Sequence, residues 1–286
     1  MNERLNSQVN IPVEFFATKN NGESIGEAEA LEWLKQSDTS MQYYAAWWLG
    51  RNRSTHPETI PLLCKALKQR QPRSIEKGVE ANAVARNAAR ALGKLKDPTV
   101  IPSLLKALED NDDGLREATS RALGEIKAKE AIFPLIKKLS SGPDIAGSPQ
   151  EGSPRLKEPC EAMIEALGNI GYPSTEAIAV IKPFCNHDRP LIRSATYRAL
   201  LQLTGEYMWA DTLIDLLKHK QIQVRRAVMM DLGAVGWRPA LEPIVQTLAE
   251  NSLKLIALRG LVENTPTNYP QEPSIVKVMA AMDELI

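Results

Sequence analysis

The chain has 286 residues, and 35 Lys+Arg balance 35 Asp+Glu, so its formal net charge is zero. That balance lacks the basic excess a nucleic-acid partner requires, and no apolar run reaches the ~18 residues of a membrane span. Aromatics make up only 5% while Ala and Leu dominate the apolar set, a composition that suits helices packed in close layers.

In chain order, Met1 to Asn10 is polar and carries no apolar h-region, so secretion is not expected and the cytoplasm is the expected location. Residues 1–22 read as an extended N-terminal arm whose Ile11 to Phe16 stretch is apolar enough to dock on a surface. Ser24-Ile-Gly-Glu27 has the pattern of a capping box and predicts a capping helix over 24–36, with Leu31 and Leu34 on its apolar side.

From there the chain repeats itself. Val84 to Gly93 (VARNAARALG), Leu115 to Gly124 (LREATSRALG) and Val224 to Gly233 (VRRAVMMDLG) are copies of one segment. Weaker copies run over 41–50, 159–168 and 192–201, where Leu201 replaces the glycine, and a degenerate one lies at 253–262. Copy ends at 50, 93, 124, 168, 201 and 233 give steps of 43, 31, 44, 33 and 32, a period near 32 lengthened twice by an insertion. A second apolar pattern follows the copies, with proline near its start, as at Ile60-Pro61, Ile101-Pro102 and Glu242-Pro243. Proline suits the first turn of a helix, where its missing N–H costs nothing. Each unit therefore reads as helix A, turn, helix B, and units must stack because one pair cannot bury its apolar face alone. The glycine closing each copy reads as the site of a sharp left-handed turn at the end of helix A.

The predicted architecture is all-α: a single α-solenoid over 23–286 with inserted loops near 69–79 and 142–159. The pattern VRxxAxxALG followed by DPxxIPxLxxAL is similar to the PBS-lyase type of HEAT repeat, a curved α-α superhelix. The second loop is rich in Gly-Pro and Ser-Pro steps. Both loops join a helix B to the next helix A, so they emerge on one edge, where inserted loops often carry binding.

Motifs for catalysis are sparse. The sequence has no P-loop, GxGxxG, GxSxG or HExxH. Cys64, Cys160 and Cys185 stand far apart with no CxxC and read as free thiols. None of His56, His187 and His219 precedes a Glu, so no metal site is expected. Arg116, Arg193 and Arg225 share one position of the repeat and read as a ladder of ion pairs and hydrogen bonds between stacked turns. His187 and Asp188, in the turn Asn186 to Pro190, are weak candidates for acid–base work.

The segment Tyr43 to Arg53 (YYAAWWLGRNR) departs from the template. Four of the chain's fifteen aromatics fall within six residues, and Trp48 stands where the other strong copies have Ala or Asp. Tyr43 and Trp47, like Tyr44 and Trp48, are four apart and share a helix face. These rings either seal the first repeat against Trp33 or form a flat surface rimmed by Arg51 and Arg53, suited to a planar conjugated ligand that bears carboxylates.

YYAAWWLGRNR set before these repeats resembles the E subunits of E/F-type heterodimeric phycobilin lyases, in particular those serving phycocyanin and phycoerythrocyanin alpha subunits. The resemblance implies a heterodimer with an F-type subunit in the cyanobacterial cytoplasm. It implies that phycocyanobilin, a substrate and not a cofactor, is joined by a thioether to a cysteine of a phycobiliprotein alpha subunit. The thiol then belongs to the acceptor, in keeping with the missing nucleophile motif. The NHCQGN motif of the isomerising partner is absent. On the resemblance, Tyr43, Tyr44, Trp47 and Trp48 would contact the bilin, and Arg51 and Arg53 its propionates. Other readings of such a scaffold are a non-enzymatic HEAT-repeat adaptor or a phycobilisome-associated factor for chromophore detachment or antenna breakdown. A HEAT-like DNA glycosylase is disfavoured by the neutral charge.

Overall fold

A computed structural model of the chain describes residues 25–70 and 82–286. The expected arm over 1–22, Ser24 and most of the first insertion lie outside these residues. Fifteen α-helices follow one another among the described residues, with a single bridge between Pro149 and Leu156 as the only β-pairing.

The repeated segments form the A helices: α2 (Thr39–Arg51), α4 (Ala83–Leu95), α6 (Asp113–Ile126), α8 (Cys160–Ile170), α10 (Pro190–Thr204), α12 (Ile222–Val235) and α14 (Asn251–Glu263). The B helices alternate with them, the first before α2 and the last after α14: α1 (Glu27–Lys35), α3 (Thr59–Leu67), α5 (Ile101–Leu108), α7 (Ile132–Leu139), α9 (Thr175–Ile181), α11 (Met208–Leu216), α13 (Leu241–Gln246) and α15 (Ile275–Asp283). Helix α1 opens on Gly26 with no side-chain cap, while Asp38 caps α2 by accepting from the N–H groups of Ser40 and Met41. Each A helix lies along the next, and the leucines of both layers fill the space between them.

The repeat glycines do something other than turn the chain. Gly50, Gly93, Gly124, Gly168 and Gly233 are all helical. A Cβ on Gly50 would stand 2.6 Å from the Cα of Ala91, and one on Gly93 would stand 2.7 Å from the Cα of Ala122. Gly124 meets Ala166, Gly168 meets Ala199 and Gly233 meets Ala257 in the same way. These glycines therefore let neighbouring A helices approach to backbone contact. The left-handed residue that ends the helix comes three places later, at Lys96, Lys127, Gly171 and Gly236. Because the A helices touch at their backbones while the B helices touch the A layer more than one another, the A layer is the shorter one. It forms the inner, concave surface of the curve.

One junction breaks the rule. At α10 the glycine is Leu201, and the residue of α12 opposite it by register is Asp231 instead of alanine. Asp231 is buried and accepts a 2.5 Å hydrogen bond from Ser194 Oγ and one of 3.1 Å from Arg198 Nη1. The apolar core divides at this level into two clusters, one ending at Leu203 and one beginning at Leu201. In the second cluster Tyr269 reaches back to donate to the Leu201 carbonyl.

The insertion over 142–159 is pinned to its edge of the solenoid. Arg116 Nε donates to Glu158 at 2.9 Å and its Nη2 to the Lys157 carbonyl at 2.7 Å. Arg155 pairs with Asp113, and Arg189 donates to the Pro154 carbonyl. The arginine ladder is mostly made of backbone bonds. Arg116, Arg193 and Arg225 each donate to the carbonyl six residues earlier, that of Asp110, His187 and His219, and so tie the end of one unit to the next A helix.

Candidate functional site on the concave layer

Residues three and seven places before the repeat glycine project from the A layer, away from the B helices, one turn apart on the same face. Read along the solenoid, the first row is Trp47, Arg90, Arg121, Glu165, Arg198 and Met230. The second is Tyr43, Arg86, Glu117, Glu161, Ser194 and Arg226, of which Ser194 is buried against Asp231. The concave surface thus begins with rings, passes through charges and ends on exposed Met230 and Ile256.

At the first layer, Tyr43, Tyr44, Trp47 and Trp48 are all half-buried, and none is sealed inside. Tyr43, Tyr44 and Trp48 lean on the core, as does Trp33 of α1. Trp33 and Tyr44 have ring centroids 5.9 Å apart, and Tyr44 and Trp47 5.3 Å apart, a run of three rings. The Arg51 guanidinium lies 5.1 Å from the centre of the Trp47 ring. Arg53 is exposed just past the helix, with a left-handed φ of 50°. Trp48 occupies the position that elsewhere meets the preceding A helix. No A helix precedes α2 among the described residues, and that room is what a bulky ring uses.

The middle of the surface is a cluster that single-residue reading did not find. One guanidinium, Arg121, serves three carboxylates. Its Nε lies 3.5 Å from Glu117 and its Nη2 3.5 Å from Glu161, and Nη1 contacts Glu165 closely. Arg198 bridges Asp231 and Asn169 beside it. Four acids share two arginines here. Burial, and then the charge of Glu165, pushes Glu161 up to about 7, and burial raises Glu165 as well. The Glu161 side chain is 39% accessible, so water reaches it. Nearer the rings, Glu125 is raised by burial against the pull of Lys94, Lys96, Arg121 and Arg53. Asp112 is opposite in behaviour: burial works against its charge, but Arg86 and Asn82 hold it below the ordinary carboxylate range.

His187 and Asp188 lie four repeats from the rings, at a turn on the edge of the solenoid. The His187 ring is buried and stacked on Phe184. Its Nε2 bonds the Gly147 carbonyl at 3.1 Å and its Nδ1 accepts from the Arg189 N–H at 3.0 Å. Both nitrogens are thereby engaged in holding the insertion, and Asp188 beside them is exposed. None of the three thiols is activated. Burial raises Cys64 and Cys185, and burial with the Glu158 charge pushes Cys160 up to about 12. Among the described residues no group of three or more His, Cys, Asp or Glu could hold a metal, and no helix is long and apolar enough to cross a membrane.

Comparison with known proteins gives the following likenesses. The family model described as PBS lyase HEAT-like repeat matches residues 41–69 and 224–250, and that of HEAT repeats matches 75–145. The bilin biosynthesis protein RpcE of Synechococcus sp. (strain WH8020) is 47% identical over 94% of this chain and 98% of its own length. The phycocyanobilin lyase subunit alpha of Synechocystis sp. is 46% identical over 82% of this chain and 84% of that relative. Among solved structures, a chain in the complex of CpcE and CpcF of phycocyanin lyase from Nostoc sp. PCC7120 superposes with a TM-score of 0.81 at 39% identity. That match covers 93% of this chain and 97% of the other.

Proposed function

The chain belongs to the family of phycocyanobilin lyase alpha subunits, and from that premise we propose that its concave A layer holds phycocyanobilin for attachment to a cysteine of a phycobiliprotein alpha subunit. It does so as the E-type half of a heterodimer with an F-type subunit, in the cyanobacterial cytoplasm. The observation that carries this reading is the surface itself: a part-open run of rings on α2 leads, across the arginines of α4, into a cluster rich in acids on α6 and α8.

Each group has a task. The Trp47 ring, with Tyr43, Tyr44 and Trp48 around it, gives the flat pigment a surface to stack on. Arg51 and Arg53 at the rim attract its propionates. Glu161, which titrates near 7, can hold a proton at neutral pH and pass it to the tetrapyrrole, making the ring A side chain electrophilic. The acceptor thiol then adds across the side-chain double bond. A C–S bond forms, the double bond is consumed, and the thiol proton replaces the one delivered, so no oxidant or leaving group is involved. This chain's own thiols take no part. Orientation does most of the work, since fixing two reactants in attack geometry can be worth on the order of 7–11 kcal/mol.

The test is co-expression of the chain with an F-type subunit, a phycocyanobilin source and an alpha apoprotein. The expected product is an alpha subunit that keeps its colour in denaturing gels, and neither lyase chain alone makes it efficiently. Trp47→Ala is expected to cut pigment transfer at least about tenfold while the thermal midpoint stays close to wild type. Trp48→Ala, which removes part of the core, is expected to cost about 1–3 kcal/mol of stability. No covalent colour with all components present, or a Trp47→Ala chain that transfers pigment normally, overturns the reading.

A further inference from the structure

Arginines of the A layer are accounted for almost to the last one. Arg86 grips Asp112 with both faces of its guanidinium, at 2.8 and 3.0 Å. Arg121 serves its three glutamates, Arg198 holds Asp231, Arg226 meets Glu250 and Arg259 lies 2.6 Å from Glu263. Arg116, Arg193 and Arg225 donate to backbone carbonyls, and Arg116 pairs with Glu158 as well. Arg90 is different: it is exposed in the middle of α4 and, among the described residues, makes no hydrogen bond or ion pair.

Its place is defined by the helix pairing. Asn87 Nδ2 bonds the Tyr43 carbonyl at 2.9 Å, and Gly50 sits on Ala91. Between these two anchors Trp47 and Arg90 fall in the same row on adjacent helices. One turn further on, Arg51 and Lys94 form the next pair, both exposed. Trp47, Arg51, Arg90 and Lys94 thus make a patch of one ring and three cations. The next helices bring the surplus of acid around Arg121. The concave surface is therefore polar along its length, positive at α2 and α4 and negative at α6 and α8.

We propose that Arg90, supported by Lys94, is a carboxylate-binding site that takes a propionate of the bilin beside the ring it stacks on. The proposal rests on the bilin-holding function above and adds the direction in which the pigment lies. Arg51 is partly committed to the Trp47 ring and Arg53 lies past the end of α2, so Arg90, in the same row as that ring on the adjacent helix, is a further cation for a ligand with two propionates. With the carboxylates at α2 and α4, the pyrrole nitrogens point toward the acids of α6 and α8. A guanidinium with no partner among the described residues has no bond there to break before it binds, which favours the ligand's carboxylate.

The experiment uses the full chain in complex with its F-type subunit and measures equilibrium binding of phycocyanobilin and of its dimethyl ester. Wild type is expected to bind the free acid at least about tenfold more tightly. Arg90→Gln is expected to weaken the acid about tenfold and leave the ester unchanged, and Arg90→Lys to recover part of the loss. Since Arg90 has no partner among the described residues, the thermal midpoint of Arg90→Gln should match wild type. Equal weakening of acid and ester, or no weakening of the acid, overturns the assignment while leaving bilin binding intact. A wild-type complex that binds neither compound overturns the functional reading beneath it.

Discussion

Glu161 shows how the curve of the scaffold creates chemistry that no residue announces by itself. A freely exposed glutamate titrates near 4.5, whereas burial, and then the charge of Glu165, pushes Glu161 up to about 7. If it delivers the proton, pigment transfer falls as pH rises above about 7, because the protonated fraction is lost. Glu161→Gln should lower kcat/KM by roughly 10² or more and abolish that limb of the profile. A Glu161→Gln complex that keeps both its rate and the limb would exclude the role. Linkage gives an independent readout. The folded state binds this proton more tightly than the unfolded chain, so stability should decline as pH rises from about 5 to 7, and less so in the variant. The ring segment was legible in the sequence because aromatics are rare elsewhere in it. Glu161 and Arg90 were not, since a Glu or an Arg on a helix is unremarkable until the A helices are aligned and their rows are read across repeats.

Among the elements, the seven A helices were readable almost to their ends, because each copy carries its apolar residues at a helical period and closes on the same Leu-Gly step. The role of that glycine was misread. A glycine near a helix end has two physical uses, a left-handed turn or a close approach, and one sequence cannot separate them. Here it is the approach, and this sets the effect of substitution. Gly93→Leu improves helix propensity by roughly 1 kcal/mol but drives a side chain into Ala122, with Cβ contacts of 2.7 and 2.9 Å to its Cα and Cβ. Overpacking of this kind costs about 1–3 kcal/mol, so a net loss is expected in urea unfolding. An unchanged or raised midpoint would show that the A helices can part without cost. The second insertion was legible as a loop from its prolines and glycines. Its anchoring was not, because Arg116 and His187 reach it across some 40 residues of chain.

At the scale of the whole molecule, the all-α solenoid follows from the repeat alone, since stacked pairs have one way to bury their faces. The break in its regularity followed from two single substitutions, Leu201 for glycine and Asp231 for alanine, that mean little apart. Nearest-neighbour stacking makes the strength of each junction local, so the α10 to α12 junction divides the chain into two cooperative units. Hydrogen exchange in rising urea should therefore show the helices from α12 onward opening at a different midpoint from α2 to α8. The pair Leu201→Gly with Asp231→Ala, which restores the ordinary contact, should bring the two midpoints together. Coincident midpoints in wild type would mean that the junction transmits cooperativity as well as the others do.

The linkage of Ser194, Asp231 and Arg198 gives the arch a joint fastened by three polar groups where its other joints are welded by backbone contact. Water can take the place of such bonds one at a time. The two arms can therefore change their opening angle at this joint for little energy, and the span of the arch can adjust to what lies beneath it without disturbing the stones on either side.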